Sequence, residues 1–105
     1  MKGSAAARVI SGDARKLCDL AGIGKSIEGN LHSLGVLSVT DLASRDGDEL
    51  YRRLCTQTRT RQDPCVLDTF RCAVAQARNP RLPADQKNWW WWSRQRKLGK
   101  LGGVE

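Results

Sequence analysis

The stretch with the clearest chemistry is Leu20-Ala21-Gly22-Ile23-Gly24-Lys25-Ser26, between two runs of helical apolar spacing. Two glycines two residues apart allow positive φ and clear side chains from the outside of a turn. Ile23, between them, has the shape to plug the space between two helices. The turn opens a helix whose first N–H groups have no intrahelical partner. Bare N–H groups, the positive end of a helix dipole and the Lys25 ammonium together make an anion site, and phosphate is the expected anion. The candidate nucleic-acid-binding residues are therefore Gly22, Ile23, Gly24, Lys25 and Ser26, flanked by Arg15 and Lys16. The competing reading is a tight corner in a helical protein–protein module.

Other chemistries have weaker footing. His32 is the single histidine and sits two residues off the inward Leu34 stripe, a poor place for a general base. Asp63, Asp68 and Glu49 are accounted for by helix caps and helix surface. Cys65 or Cys72 would need His32 alongside to act as a nucleophile. Gly-Ile-Gly lacks the third glycine and the preceding strand of a dinucleotide fingerprint, and there is no Walker loop. The chain is expected not to be an enzyme, with no cofactor, no metal and no small-molecule substrate. The four cysteines, Cys18, Cys55, Cys65 and Cys72, contain no C-x-x-C pair. They read as buried small hydrophobes in a reducing cytosol. A disulfide framework or a zinc site stay as alternatives.

The elements that must hold these residues are helical. Ile10, Ala14, Leu17, Cys18 and Ala21 make one stripe, opened by Ser11 or Gly12 with Asp13 in the first turn. Ile27, Leu31 and Leu34 make the next, closed by Gly35. Ser38-Val39-Thr40-Asp41 is a capping box for a short third helix. Asp46-Gly47-Asp48-Glu49 starts a fourth, with Leu50, Tyr51, Leu54 and Cys55 inward, and Thr56 to Gln62 reads as a loop. Asp63-Pro64 is the clearest helix start, ahead of Val66, Leu67, Phe70, Ala73, Val74 and Ala77. Asn79-Pro80 ends that helix. Leu82-Pro83-Ala84-Asp85 opens a sixth through the tryptophans. No run alternates apolar and polar as a strand would.

The 105 residues leave room for one domain, and a net charge of +7 suits a polyanion partner. The positive charge is concentrated over 51–71 and 87–105, while 36–50 is acidic. With 40% hydrophobic and 28% charged residues the chain is not wholly disordered. Its longest apolar runs, Ala5–Ala7 and Trp89–Trp92, are far short of a membrane span. Met1 to Lys16 has no continuous apolar core and carries Asp13, so no secretory signal is read and a cytoplasmic place is expected. Residues 1–9 are expected to be a flexible segment, 10–93 a helical domain and 94–105 a basic, glycine-containing tail.

Trp89, Trp90, Trp91 and Trp92 cannot all face one way, since successive helical residues turn by about 100°. Trp89 and Trp92 share a side, and two or so of the four are expected to form a lid on the core. The rest could stack on bases with Arg94, Arg96, Lys97 and Lys100 nearby, or mediate self-association. Arg52, Arg53, Arg59 and Arg61 are surface charge, and would extend a phosphate track if they lie beside the turn.

The Gly22-Ile23-Gly24 turn with Leu31 and Leu34-Gly35 resembles a helix-hairpin-helix motif over residues 12–35, with Ala21 where Pro is common and Glu28 where Ala is common. The order Glu49-Leu50-Tyr51-Arg52-Arg53-Leu54-Cys55, Asp63-Pro64-Cys65-Val66-Leu67-Asp68-Thr69-Phe70-Arg71 and the tryptophans extends the likeness. It is similar to the small bacterial proteins of the pathogenicity-locus family, often labelled mitomycin-resistance proteins. More distantly it resembles the C-terminal helical domain of bacterial competence regulators. The resemblance implies an all-α, SAM-like bundle of five to six short helices with one helix-hairpin-helix. It also implies phosphate contacts from the backbone N–H groups of Gly22, Gly24, Lys25 and Ser26. The expected function is sequence-tolerant binding of double-stranded DNA, accessory to DNA repair or damage tolerance. The alternative is a protein-interaction or oligomerisation module.

Overall fold

The computed structural model describes residues 15–99. In chain order these form a 3-10 turn at Leu17–Asp19, α1 (Lys25–Ser33), α2 (Val39–Ala43), α3 (Gly47–Thr58) and α4 (Pro64–Arg78), then a 3-10 turn at Ala84–Lys87 and α5 (Trp89–Lys97). There is no strand among the described residues, and the fold is all-α. The 1–9 segment, the start of the expected first helix and the end of the basic tail lie outside the described residues.

The helix starts follow their local chemistry. Ser38 Oγ accepts the Asp41 N–H at 3.0 Å, Asp46 Oδ1 that of Asp48 at 3.0 Å, and Asp63 Oδ1 that of Cys65 at 2.8 Å. Each satisfies a donor that the helix itself leaves bare. The Cys65 N–H holds the Asp63 carboxyl below its usual range. Gly35 takes φ +87° after α1 and lets the chain reverse.

Three expectations about elements are corrected. The Leu17-Cys18-Ala21 stripe does not continue as an α-helix over the described residues. Lys16 and Leu20 are extended and only one 3-10 turn lies between them. Leu17, Leu20 and Ile23 are buried while Cys18 and Ala21 are exposed. That spacing of three is the period of a 3-10 turn and its continuation, and it overrides the helical reading. Second, Thr56, Gln57 and Thr58 belong to α3, which ends at Arg59 with φ 56°. Third, Pro83-Ala84-Asp85 opens a separate 3-10 turn. An extended Asn88 breaks it from α5.

The core runs from Leu17, Leu20 and Ile23 through Leu31, Val36 and Leu42 to Leu50, Leu54, Phe70 and Ala73. α4 is its axis, packed on α2, α3 and α5. Phe70 is fully buried, so truncating it to alanine would cost about 3–5 kcal/mol. Gly47 lets α3 approach α4: a Cβ there would lie 2.9 Å from the Arg71 nitrogen.

Two forked ion pairs tie α4 to its neighbours. Arg71 Nε and Nη2 donate to the Asp48 carboxylate on α3 at 2.6 and 2.9 Å. Arg96 Nε and Nη2 on α5 donate to Asp68 at 2.9 and 3.0 Å. Asp68 is 0% exposed, so it is a core group and not helix surface as expected. Arg96 is correspondingly part of this pairing and not solvated tail charge. Arg78 reaches across to the Ala43 and Arg45 carbonyls, both at 2.9 Å, and satisfies the end of α2.

Candidate nucleic-acid interface

Backbone bonds at both ends shape the turn before α1. The Ile23 N–H donates to the Leu20 carbonyl at 3.2 Å, and the Glu28 N–H to the Gly24 carbonyl at 2.9 Å. Gly22 sits at φ +87°, where a Cβ is strained. Gly24 is extended and stands at the N-cap of α1. The Ile23 side chain is buried in the core, the plug its spacing predicts. Its N–H is already used, so Ile23 supports the turn and does not offer an amide.

Gln76 of α4, itself buried, clamps the turn from behind. Its Nε2 donates to the Ala21 carbonyl at 2.9 Å, and the Ala21 N–H donates to its Oε1 at 2.9 Å. Sequence reasoning missed this residue. A glutamine on an otherwise apolar helix face was the available signal.

The N–H groups of Gly22, Gly24, Lys25 and Ser26 have no hydrogen-bond partner among the described residues. All four residues are exposed. A Cβ built at Gly22 or Gly24 meets nothing within 4 Å, so the space outside the turn is open. Unpaired donors of a helix N-terminus on exposed residues, with the Lys25 ammonium in the same segment, are the chemistry that takes an anionic oxygen.

The flanking charges divide. Lys16 and Lys25 are exposed. Arg15 turns inward: its Nη1 donates to the Gln76 carbonyl at 2.9 Å and its Nη2 to that of Ala77 at 3.3 Å. It therefore helps satisfy the end of α4 and is not aimed at the turn. Asp19 is held by the Lys16 N–H at 2.8 Å. Glu28, one turn into α1, lies 3.9 Å from Nε2 of the exposed His32.

A hydrogen bond between α3 and α1 lies at the end of α1 away from the turn. Gln57 Nε2 donates to Ser33 Oγ at 2.9 Å, and Arg53 lies one turn back along α3. Ser33 is the last residue of α1, roughly 12 Å along the axis from Lys25. Arg52 and Arg61 instead line a cleft of about 620 Å³ with Tyr51, Cys55, Thr56 and Leu67, to which the turn contributes nothing. Tyr51 donates its hydroxyl to the Gln62 carbonyl. Burial and the neighbouring Cys55 push its pKa up.

The cysteines are all free, with Cys72 buried and Cys18 exposed, so the expectation of uniform burial holds for Cys72 and fails for Cys18. Burial raises the Cys72 thiol to about 11. Among the described residues no group of His, Cys, Asp and Glu is arranged to hold a metal ion. No described helix is long and apolar enough to cross a membrane.

The tryptophans divide into two that pack together and two that stay exposed. Trp91 and Trp92 are half-buried and meet edge to face, with centroids 5.2 Å apart. Trp89 and Trp90 are exposed. Ser93 and Arg96 turn inward on the stripe that Trp89 begins at i, i+4 and i+7, and Trp89, at the first position of α5, is still 38% exposed.

A model of the family described as pathogenicity locus matches residues 11–98. The chain is 37% identical over 87 residues to a protein named mitomycin resistance protein McrB from Streptomyces lavendulae, covering 83% of this chain and 79% of that protein. No solved structure matches significantly.

Proposed function

The chain belongs to the pathogenicity locus family, and from the chemistry of its exposed turn we propose that it is a sequence-tolerant DNA-binding module gripping the phosphate backbone of a duplex. The carrying observation is that the N–H groups of the exposed residues Gly22, Gly24, Lys25 and Ser26 have no partner among the described residues. Ile23 and Gln76 hold that turn in shape from the core side. Phosphate contacts of this kind position a protein without reading bases. The net charge of +7 adds a sequence-independent attraction. With about three phosphates neutralised, a fourfold rise in salt would lower affinity about 40-fold.

The mitomycin-resistance name of the Streptomyces relative fits an accessory role in DNA repair or damage tolerance. The same drug phenotype is the one to test in cells. A second reading is a protein-interaction or oligomerisation module. It rests on the exposed apolar groups Leu37, Trp89, Trp90 and Leu98.

The test is a duplex titration at two salt concentrations with wild type and Lys25→Glu. The expected result is micromolar or weaker binding, steeply lost with salt, and weakened about tenfold or more by the substitution. Absence of binding at low salt, or an unchanged affinity for Lys25→Glu, overturns the proposal.

A further inference from the structure

Two indoles at the start of α5 stand open to solvent. Trp92 is committed, its Nε1–H donating to the Gln86 carbonyl at 2.8 Å with Trp91 against its ring. Trp89 and Trp90 remain 38% and 47% exposed. They are nevertheless held in place, because Ser93 is buried and Arg96 forks onto the fully buried Asp68. Trp90, Arg94 and Lys97 fall at i, i+4 and i+7, one exposed stripe of α5. The Arg94 guanidinium carbon lies 5.3 Å from the centre of the Trp90 ring. The helix contains no acidic residue.

Flat apolar faces set among cations suit a partner that brings flat faces and negative charge together. Unpaired nucleotides do so: the base stacks and the phosphate meets the cation. A second copy of this chain, docked face to face about a twofold axis, would bring Arg94 and Lys97 against their own like charges. An apolar protein surface would leave the cations without a counter-charge.

We propose that Trp89, Trp90 and Arg94 form a stacking platform for the unpaired bases of a single-stranded polynucleotide, with Lys97 on its phosphates. The platform extends the nucleic-acid reading but uses none of the residues of the turn.

The test follows tryptophan emission and the anisotropy of end-labelled oligo-dT, oligo-U and a duplex, each about 15 nucleotides long. The expected result is quenching by the single strands. The Trp89→Ala/Trp90→Ala variant weakens single-strand affinity about tenfold or more and leaves duplex affinity within about twofold. Trp90→Phe, which keeps a stacking face, retains most of the affinity and guards against loss through misfolding. A preference for oligo-dT or oligo-U still supports the platform. Lys25→Glu weakens duplex binding and spares the quenching, so the two sites fail separately. Absence of quenching, or single-strand affinity unchanged in the alanine variant, overturns the proposal. So does a dimer, seen by sedimentation, that this variant dissociates without altering single-strand binding.

Discussion

Removing Arg96 should destabilise this small domain more than removing its partner Asp68. The two groups share a forked ion pair but not an environment: Asp68 is 0% exposed and the Arg96 side chain 18%. Arg96→Ala strands a carboxylate inside the protein, where breaking a buried pair costs about 3–5 kcal/mol. Asp68→Ala leaves a guanidinium whose long stem can turn its head to water. That variant loses charged hydrogen bonds worth about 1.5–3 kcal/mol. For a domain of this size the first change lowers the melting temperature by roughly 12 °C or more, at about 4–8 °C per kcal/mol. Replacing both residues together, Asp68→Leu with Arg96→Met, removes the desolvation cost along with the attraction and is expected to be neutral or stabilising by about 1–4 kcal/mol. Urea unfolding of the four proteins, analysed at constant m, measures all three differences. An Arg96→Ala cost below about 1 kcal/mol, or an Asp68→Ala cost exceeding it, refutes the reasoning.

Three further outcomes are expected. Gly47→Ala places a Cβ 2.9 Å from the Arg71 backbone nitrogen and should cost about 1–3 kcal/mol in thermal unfolding. Gln76→Leu removes both bonds to Ala21 and should weaken duplex binding as well as stability, read by titration and urea unfolding. Cys72 ionises near 9.0 when unfolded and is raised to about 11 in the fold. The unfolded chain thus binds fewer protons across that window, and stability, undiminished below 9, falls as pH rises toward 11. Cys72→Ala should flatten that decline between pH 9 and 11.

The chain's local signals were readable because they act over a few residues. Asp63-Pro64, Ser38 and Asp46 each cap the helix they announce. Gly35 and Gly22 take the positive φ their positions demand, and Ile23 plugs the core. What was not readable depends on pairing over distance. Asp68 finds Arg96 28 residues on, and Asp48 finds Arg71 across 23. Nothing in the neighbourhood of either partner marks it. Arg59 ends α3 with positive φ, a place where glycine or asparagine is the usual signal. Trp89 begins the inward stripe of Ser93 and Arg96 yet stays 38% exposed at the first position of α5, an end effect that residue type alone does not mark. At the candidate site the turn was legible as a turn. Arg15 has the sequence position of a flanking cation, and only the fold directs it to the end of α4.

The most direct measurement is a titration of the isotopically labelled protein with duplex DNA, following each backbone amide by NMR. The account predicts that the resonances of Gly22, Gly24, Lys25 and Ser26 move first and furthest at low salt and return as salt is raised, while that of Ile23, bonded to Leu20, moves little. Movement confined to other parts of the surface, with those four amides still, would contradict it.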